Sequence, residues 1–332
     1  MANNNDVVKL AIDSYKGKVA GNFSQSDSME VLRKALVSAN NGSTKLDYKA
    51  IRDGKCNGLF SIIEEIIQKT TIEGLTGDEF FMQMVDYRNL ALGDENEFVV
   101  PDNSLFTVSD IAEGTQGIRR QRLNGATTVS VKTQLKAIKI YEELNRVLSG
   151  RIDFNDFIAR VSKSFTNKTK EDIYTAFQGS FSSLPATFAQ SGSFSEDGLI
   201  TLIEHVEAAT GEDATITGTK AALRKVTQAT ISDSAKEDIY GMGYYGKFNG
   251  TPMIAMKQVH KTGTYNFALT DNDIYVLAGN TKPIKFVTEG DSMIITGNPI
   301  DNQMLQQEFL YTDRYGVGVI INSMYGIFRI SA

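Results

Sequence analysis

The sequence has no tryptophan, one cysteine, two histidines and five prolines in 332 residues. Each scarcity closes a class of function. With Cys56 alone, neither an intrachain disulfide nor a thiolate metal cage can form. With only His205 and His260, zinc chemistry and a Ser-His-Asp triad lack the converging groups they require. Neither H-E-x-x-H nor G-x-S-x-G occurs. No apolar run approaches the ~18 residues that span a bilayer. The start Met1-Ala2-Asn3-Asn4-Asn5-Asp6 has neither the basic segment nor the apolar core of a signal peptide. Basic residues number 34 against 40 acidic, a net charge of −6, so a chain-wide footprint for nucleic acid is missing. These absences imply a soluble product of a reducing cytoplasm with no membrane partner, metal or cofactor.

What is present is an α+β pattern. The first 25 residues are polar, broken by Gly17 and Gly21, and read as an arm outside the core despite the cluster Val7, Val8, Leu10, Ala11 and Ile12. Asp27 and Glu30 resemble a capping box, and Val31, Leu32, Ala35 and Leu36 share a helical face that ends at Asn40-Asn41-Gly42. Leu59, Ile62, Ile63, Ile66 and Ile67 predict a second helix, and a short third one is expected over Gly77–Asn89. β-rich runs follow at Phe98–Val100, Leu105–Val108 and Thr127–Val131. The glycine-dotted, apolar-poor stretch Glu113–Gly125 between them cannot build a core, so it is expected to project as a long two-stranded loop packed on something else. From Asp153, the stripe Phe154, Phe157, Ile158, Val161 and Phe165 predicts a helix; Thr166-Asn167 interrupts it before Ile173, Tyr174 and Phe177, leaving one helix or two open. Gly179–Gly192 reads as a hinge. A helix over Glu196–Thr210, a strand over Ala214–Thr217 and a helix from Thr219 to Lys225 come next. The last hundred residues are β-patterned, at Met253–Met256, Ile274–Leu277, Ile284–Val287, Met293–Thr296, Gly316–Ile321 and Met324–Ile330.

The motif most suggestive of chemistry is Gly241-Met242-Gly243-Tyr244-Tyr245-Gly246-Lys247-Phe248, which matches G-x-G-x-x-G and approaches a phosphate loop. Phe248 stands where a magnesium-binding Ser or Thr is needed, and Asn249-Gly250-Thr251-Pro252 makes a turn where a helix should open, so a glycine bend is the reading. His205 and His260 read as structural or surface residues, and Cys56 as incidental. Asp94-Glu95-Asn96-Glu97 lacks the periodicity of a calcium loop and reads as a solvated turn. The dense basic cluster Arg119, Arg120 and Arg122 lies on the projecting loop without interleaved aromatics, which favours contact with an acidic neighbouring subunit over nucleic acid. No catalytic constellation is found.

The order of elements carries a resemblance. Phe98-Val99-Val100-Pro101-Asp102, Leu105-Phe106-Thr107-Val108-Ser109, a glycine–arginine loop, a strand and a long helix follow the order found in major capsid proteins of tailed bacteriophages with the Hong-Kong-97-type fold. Tyr240–Ile254 resembles that family's segment in the capsomer-centre domain, and Gln307–Ile321 resembles its return strand. The resemblance spans roughly residues 60 to 332.

It implies an N-terminal arm and helix over 1–60, and a peripheral domain of spine helix and sheet over 61–95, 141–188 and 305–332. An extended β-hairpin loop over 96–140 would lie on a neighbour, with an axial domain over 189–304. Gly114, Gly117 and Gly125 would let the loop bend differently in pentamers and hexamers, with Arg119, Arg120 and Arg122 at the interface. Gly241, Gly243, Gly246, Gly250 and Pro252 would form a bend of the axial domain. The implied product is an icosahedral virion shell around double-stranded DNA held without sequence-specific contacts. Its partners would be a separate scaffolding protein, since a fused scaffold of about a hundred residues does not fit ahead of Phe98, a portal protein and a decoration protein. An encapsulin-like nanocompartment shell is the alternative within the fold, and an enzyme with an unrecognised site is the alternative outside it.

Overall fold

The computed structural model describes residues 4–15, 25–45, 48–76, 84–94, 96–100, 106–114, 117–123, 125–141, 146, 149, 151, 154–226, 233–279, 282–296, 308–321 and 325–331. The N-terminal part is helical: α1 (Asn4–Tyr15), α2 (Gln25–Ala39), α3 (Tyr48–Arg52) and α4 (Asn57–Thr76). The first segment is therefore not an arm outside the core. Neither glycine nor proline interrupts Asn4–Tyr15, and Val7, Val8 and Ala11 fall on one helical stripe. That stripe is buried with Leu32 and Leu36 of α2 and with Leu59, Ile63 and Ile66 of α4. Burial of one valine is worth about 1.5–3 kcal/mol, enough to hold a short helix that would be marginal alone. At the end of α2, Asn41 and Gly42 take positive φ, and the Gly42 N–H donates to the Val37 carbonyl at 2.8 Å.

The helix α5 (Phe154–Gly179) is a single element of 26 residues, about 39 Å long at 1.5 Å per residue. Its apolar stripe changes direction at Thr166-Asn167 because the helix passes from one core to another. Val161 and Phe165 pack with α4, and Ile173, Tyr174 and Phe177 pack in a second cluster between the two large sheets.

The first sheet contains β1 (Val85–Leu90), β4 (Gln134–Tyr141), β10 (Ile284–Glu289), β11 (Met293–Thr296) and β12 (Glu308–Val319). β12 is its axis. One edge pairs with β4 over Glu308–Tyr315, and the other pairs with β11 and then β10. The register slips by two residues between β11 and β10, where Gly290 has φ +75°. The second sheet runs in the order β5 (Ala189–Gly192), β13 (Tyr325–Ile330), β9 (Asp273–Ala278), β6 (Ala214–Thr219), β8 (Thr251–Met256) and β7 (Lys247–Phe248). Helix α6 (Glu196–Thr210) covers it through Leu199, Leu202, Ile203 and Val206; the Ser195 side chain caps its start and Gly211, at φ 71°, closes it. Two further helices follow in sequence, α7 (Lys220–Arg224) and α8 (Asp233–Met242).

Arg329 fastens α5 to the second sheet. Its guanidinium donates to both oxygens of the buried Asp273 at 2.8 and 2.9 Å and lies 4.2 Å over the Phe181 ring. The hydrogen bonds to Asp273 hold the Arg329 guanidinium in its charged state, and losing either partner would leave the other without its counter-ion.

Several sequence expectations change. Over the described part of Gly77–Asn89 the expected helix is replaced by β1, paired in parallel with β10; residues 77–83 lie outside the described residues. Val85 is buried, and pairing with a buried neighbour outweighs local propensity. Phe106–Val108 is irregular instead of a strand, with Leu105 outside the described residues. Gly179–Gly192 is not slack chain: it holds the 3₁₀ turn Ser180–Ser183, with Ser180 buried, and then β5, paired with β13. The β-patterned run expected from Gly316 starts earlier, at Glu308, within the Gln307–Ile321 segment that resembles the return strand. β10 and β11 join the first sheet, and β13 joins the second.

Candidate intersubunit surface

The projecting segment stands on a short stem, β2 (Glu97–Val100) paired antiparallel with β3 (Thr127–Ser130). Phe98 is fully buried in a small cluster with Val131 and Val287, and the Arg88 guanidinium lies 4.0 Å over its ring. Asn96 donates to the Val131 carbonyl at 2.6 Å. Where the chain turns from the stem into β4, it crosses β12 at two glycines. A Cβ on Gly316 would lie 2.5 Å from the Lys132 carbonyl oxygen, and one on Gly318 would lie 2.8 Å from a Val131 methyl. Only glycine permits this approach, and it sets the base of the loop.

Beyond the stem the described residues are exposed and irregular. Gln121 bridges the two sides of the loop: its side-chain amide accepts from the Thr107 N–H and donates to the Thr107 carbonyl, both at 2.7 Å. One side chain thus does the work of a strand partner. The apolar residues Phe106, Val108, Ile111, Ile118 and Leu123 all face solvent, with Val108 at 92% and Leu123 at 73% exposure. Arg119, Arg120 and Arg122 are exposed beside them, and among the described residues none has a carboxylate within ion-pair distance. Of the three loop glycines, Gly114 has φ +87° and would strain any other residue; Gly117 and Gly125 stand in open space without that constraint. Sequence reading singled out the arginines and glycines but missed the apolar residues, which are spread through a polar stretch without periodicity.

The second group of expected residues is split between a helix end and a hairpin. Gly241 lies within α8, and Gly243, at φ +88°, ends it with its N–H donating to the Ile239 carbonyl at 2.9 Å. The Gly246 carbonyl accepts from the Met253 N–H at 3.0 Å. Asn249 and Gly250, both with positive φ, form the two-residue turn between β7 and β8, and Pro252 stands opposite Lys247 on the short outer strand. No helix N-terminus follows the glycines, so no phosphate cradle is formed. Tyr240, at 93% exposure, projects beside this bend.

Outside these regions the chemistry is structural. Cys56 is buried and donates to the Asn40 side-chain oxygen at 3.2 Å. The His205 ring lies 6.2 Å from Phe188, and His260 stacks on Phe267 at 5.5 Å. Asp94 closes its own turn by accepting from the Ala91 N–H at 3.1 Å. Asp172 gathers Lys168 at 3.0 Å, Lys136 at 3.4 Å and the Tyr315 hydroxyl at 2.9 Å, and burial with this carboxylate pushes the Tyr315 phenol far above its ordinary range. Among the described residues no group of three His, Cys, Asp or Glu could hold a metal, and no described helix is long and apolar enough to cross a membrane.

Helices and two sheets are joined by one long helix, with a hairpin stem carrying an exposed loop, the arrangement that the resemblance to Hong-Kong-97-type shell proteins implied. Residues 10–329 match the family described as "SPbeta prophage-derived putative capsid protein YonB", and the chain belongs to that family of phage capsid proteins. No curated protein matches the sequence significantly. Similar solved structures include the capsid of cyanophage P-SCSP1u, 12% identical, with TM-score 0.48 over 76% of this chain and 88% of that one. Another is a virus-like particle from Pyrococcus furiosus, 9% identical, with TM-score 0.46 over 79% and 98%. A third is the SrpI encapsulin complex from Synechococcus elongatus, 8% identical, with TM-score 0.43 over 75% and 85%.

Proposed function

We propose that this capsid protein is the major subunit of an icosahedral virion shell enclosing double-stranded DNA. Copies join as pentamers and hexamers in the cytoplasm of a bacterial host, with the loop over 96–140 laid on a neighbouring copy. The part built on the second sheet, centred on residues 189–279, faces the capsomer axis with the Gly241–Pro252 bend. The supporting observation is the loop itself: a segment with five exposed apolar side chains, and arginines without a carboxylate partner among the described residues, is stable only against a partner. A scaffolding protein, a portal and a decoration protein complete the assembly, and the subunit carries no catalytic activity.

Expression of the chain with and without a co-expressed scaffold, followed by sedimentation and negative-stain imaging, tests this reading. Uniform shells, with nuclease-protected DNA inside particles recovered from infected or induced cells, are expected. A small soluble oligomer under every condition would overturn the reading. Shells that enclose a protein cargo in place of DNA would identify a nanocompartment.

A further inference from the structure

Two stretches of this acidic chain contain no acidic residue. Residues 159–170, in the middle of α5, hold Arg160, Lys163, Lys168 and Lys170 without an Asp or Glu, and residues 257–268 hold Lys257 and Lys261 likewise. In a sequence with 40 acidic residues against 34 basic, this is a segregation of charge.

The fold brings the two stretches together. Residues 257–268 leave β8 and return to β9, closed by the Lys261 N–H donating to the Asn266 carbonyl at 2.8 Å and by a bridge between His260 and Phe267. Val259, Ala268 and Leu269 pack in the cluster that contains Tyr174 and Phe177 of α5. The tip rests on the same helix, where the Thr262 N–H donates to Glu171 at 3.5 Å. That carboxylate is also matched by Lys168 at 3.6 Å. On α5 itself, Arg160, Lys163, Asn167 and Lys170 recur at three- and four-residue spacings, away from the buried Phe165, Thr169 and Ile173. The row is about 15 Å long at 1.5 Å per residue. At its end stand Tyr265, 93% exposed, and Phe267, 56% exposed, with His260 6.1 Å from the first ring and 5.5 Å from the second.

We propose that this side of α5, together with the 257–268 segment, is a nucleic-acid surface that takes the phosphate backbone of the enclosed DNA. The proposal rests on the shell reading above and adds which part of the subunit meets the genome. Duplex DNA carries one negative charge per about 1.7 Å of its axis, and a row of cations that neutralises phosphates gains from the counterions released. Lysine, arginine, asparagine and tyrosine side chains are ordinary partners of phosphate oxygens, and such contacts carry no sequence information. The exposed rings add a face for any base that leaves the stack.

The test measures binding of the full-length, unassembled chain to a short DNA duplex over a series of salt concentrations. Lys163→Gln/Lys170→Gln/Lys261→Gln should weaken binding by about tenfold or more at low salt and reduce the salt slope by about 3. Arg119→Gln/Arg120→Gln/Arg122→Gln should leave both unchanged, which separates this patch from basic charge in general. Circular dichroism checks that each chain folds. If the patch set binds like the wild type, or the loop set weakens binding as much, the surface is wrong and the shell reading stands. Binding of poly-glutamate without binding of the duplex would assign the patch to an acidic protein partner and overturn the proposal. A chain that never builds a shell would overturn the shell reading alone, because the duplex titration reads the patch without particles. A second measurement does not depend on the variants folding: ultraviolet irradiation of DNA-filled wild-type particles should attach DNA to peptides containing Tyr265 or Phe267. Attachment confined to other regions would refute the proposal.

Discussion

Gly316 and Gly318 look alike in sequence and sit two residues apart on β12, yet different neighbours oppose a Cβ at each. At Gly316 the nearest atom is a backbone carbonyl, which can give way only if the loop base moves; at Gly318 it is a side-chain methyl of Val131. Gly316→Ala should therefore destabilise the chain by ~1–3 kcal/mol, the usual cost of overpacking, and exceed the ~0.5–1 kcal/mol that alanine gains over glycine in a strand. Gly318→Ala should cost a similar amount but recover largely when combined with Val131→Ala. Urea unfolding of the four variants checks this; equal rescue of both glycine variants by Val131→Ala would contradict the assignment.

Glu64 shows the residue scale in its electrostatic form. Burial between α4 and β11 raises its carboxyl pKa, although its Oε1 accepts the Ile294 N–H at 2.5 Å. A carboxyl raised by folding holds its proton more tightly in the native state. Its contribution to stability therefore falls as pH rises from the ordinary carboxylate range through the folded pKa, and stays low above it. Glutamine keeps the acceptor and removes the charge. Glu64→Gln should raise the melting temperature at pH 7, with the advantage shrinking toward pH 4. An advantage that grows on acidification would show that the charge is favourable in the fold.

At the scale of elements, the N-terminal helices are part of the body of the subunit. Val8 is fully buried on α1, and α1 packs with α2 and α4 over side chains that also meet Phe309 and Tyr311 of β12. Val8→Asp should lower stability by several kcal/mol, since a carboxylate would be buried without a partner. If mature particles lacked α1 and α2, Leu59, Ile63 and Ile66 would be uncovered. The expected outcome is that both helices stay in the particle, and intact-mass analysis decides it; a mature chain that has lost α1, or α1 and α2 together, would contradict this packing.

The same scale shows what could be read ahead of the structure. Helices and strands with a strong period, such as Leu59–Ile67, Glu196–Thr210 and Ile274–Leu277, lie where their apolar spacing puts them. β1 was illegible because its strand character comes from β10, about two hundred residues away in sequence. α1 looked like an arm because its stripe is short and acquires a partner only when α2 and α4 fold. The loop arginines were legible as a cluster, whereas the Gln121 bridge was not, since it depends on two segments meeting in space.

At the scale of the whole molecule, the sequence from Thr70 to Val131 contains no lysine, a span that includes all of the loop between its stem strands. Joining neighbouring copies through the loop by an isopeptide bond requires an amine with an accessible neutral form, and arginine remains protonated. Lys132 is held against β12 at Gly316. Particles boiled in detergent under reducing conditions should therefore run as a monomer near 36.5 kDa. A ladder of covalent oligomers would refute non-covalent assembly.

The stem has a mechanical consequence. Two four-residue strands join the loop to the rest of the chain, and they rest on the cluster of Phe98, Val131 and Val287, separate from the three large cores. In series, a stiff body and a slender joint share the same load, and nearly all the deflection occurs in the joint. A small rocking of the stem sweeps the loop tip through a wide arc while the cores keep their packing. In the shell proposed above, such levers would fit five-fold and six-fold surroundings by adjusting angles at their joints, and strain from swelling or internal pressure would collect at the stems first.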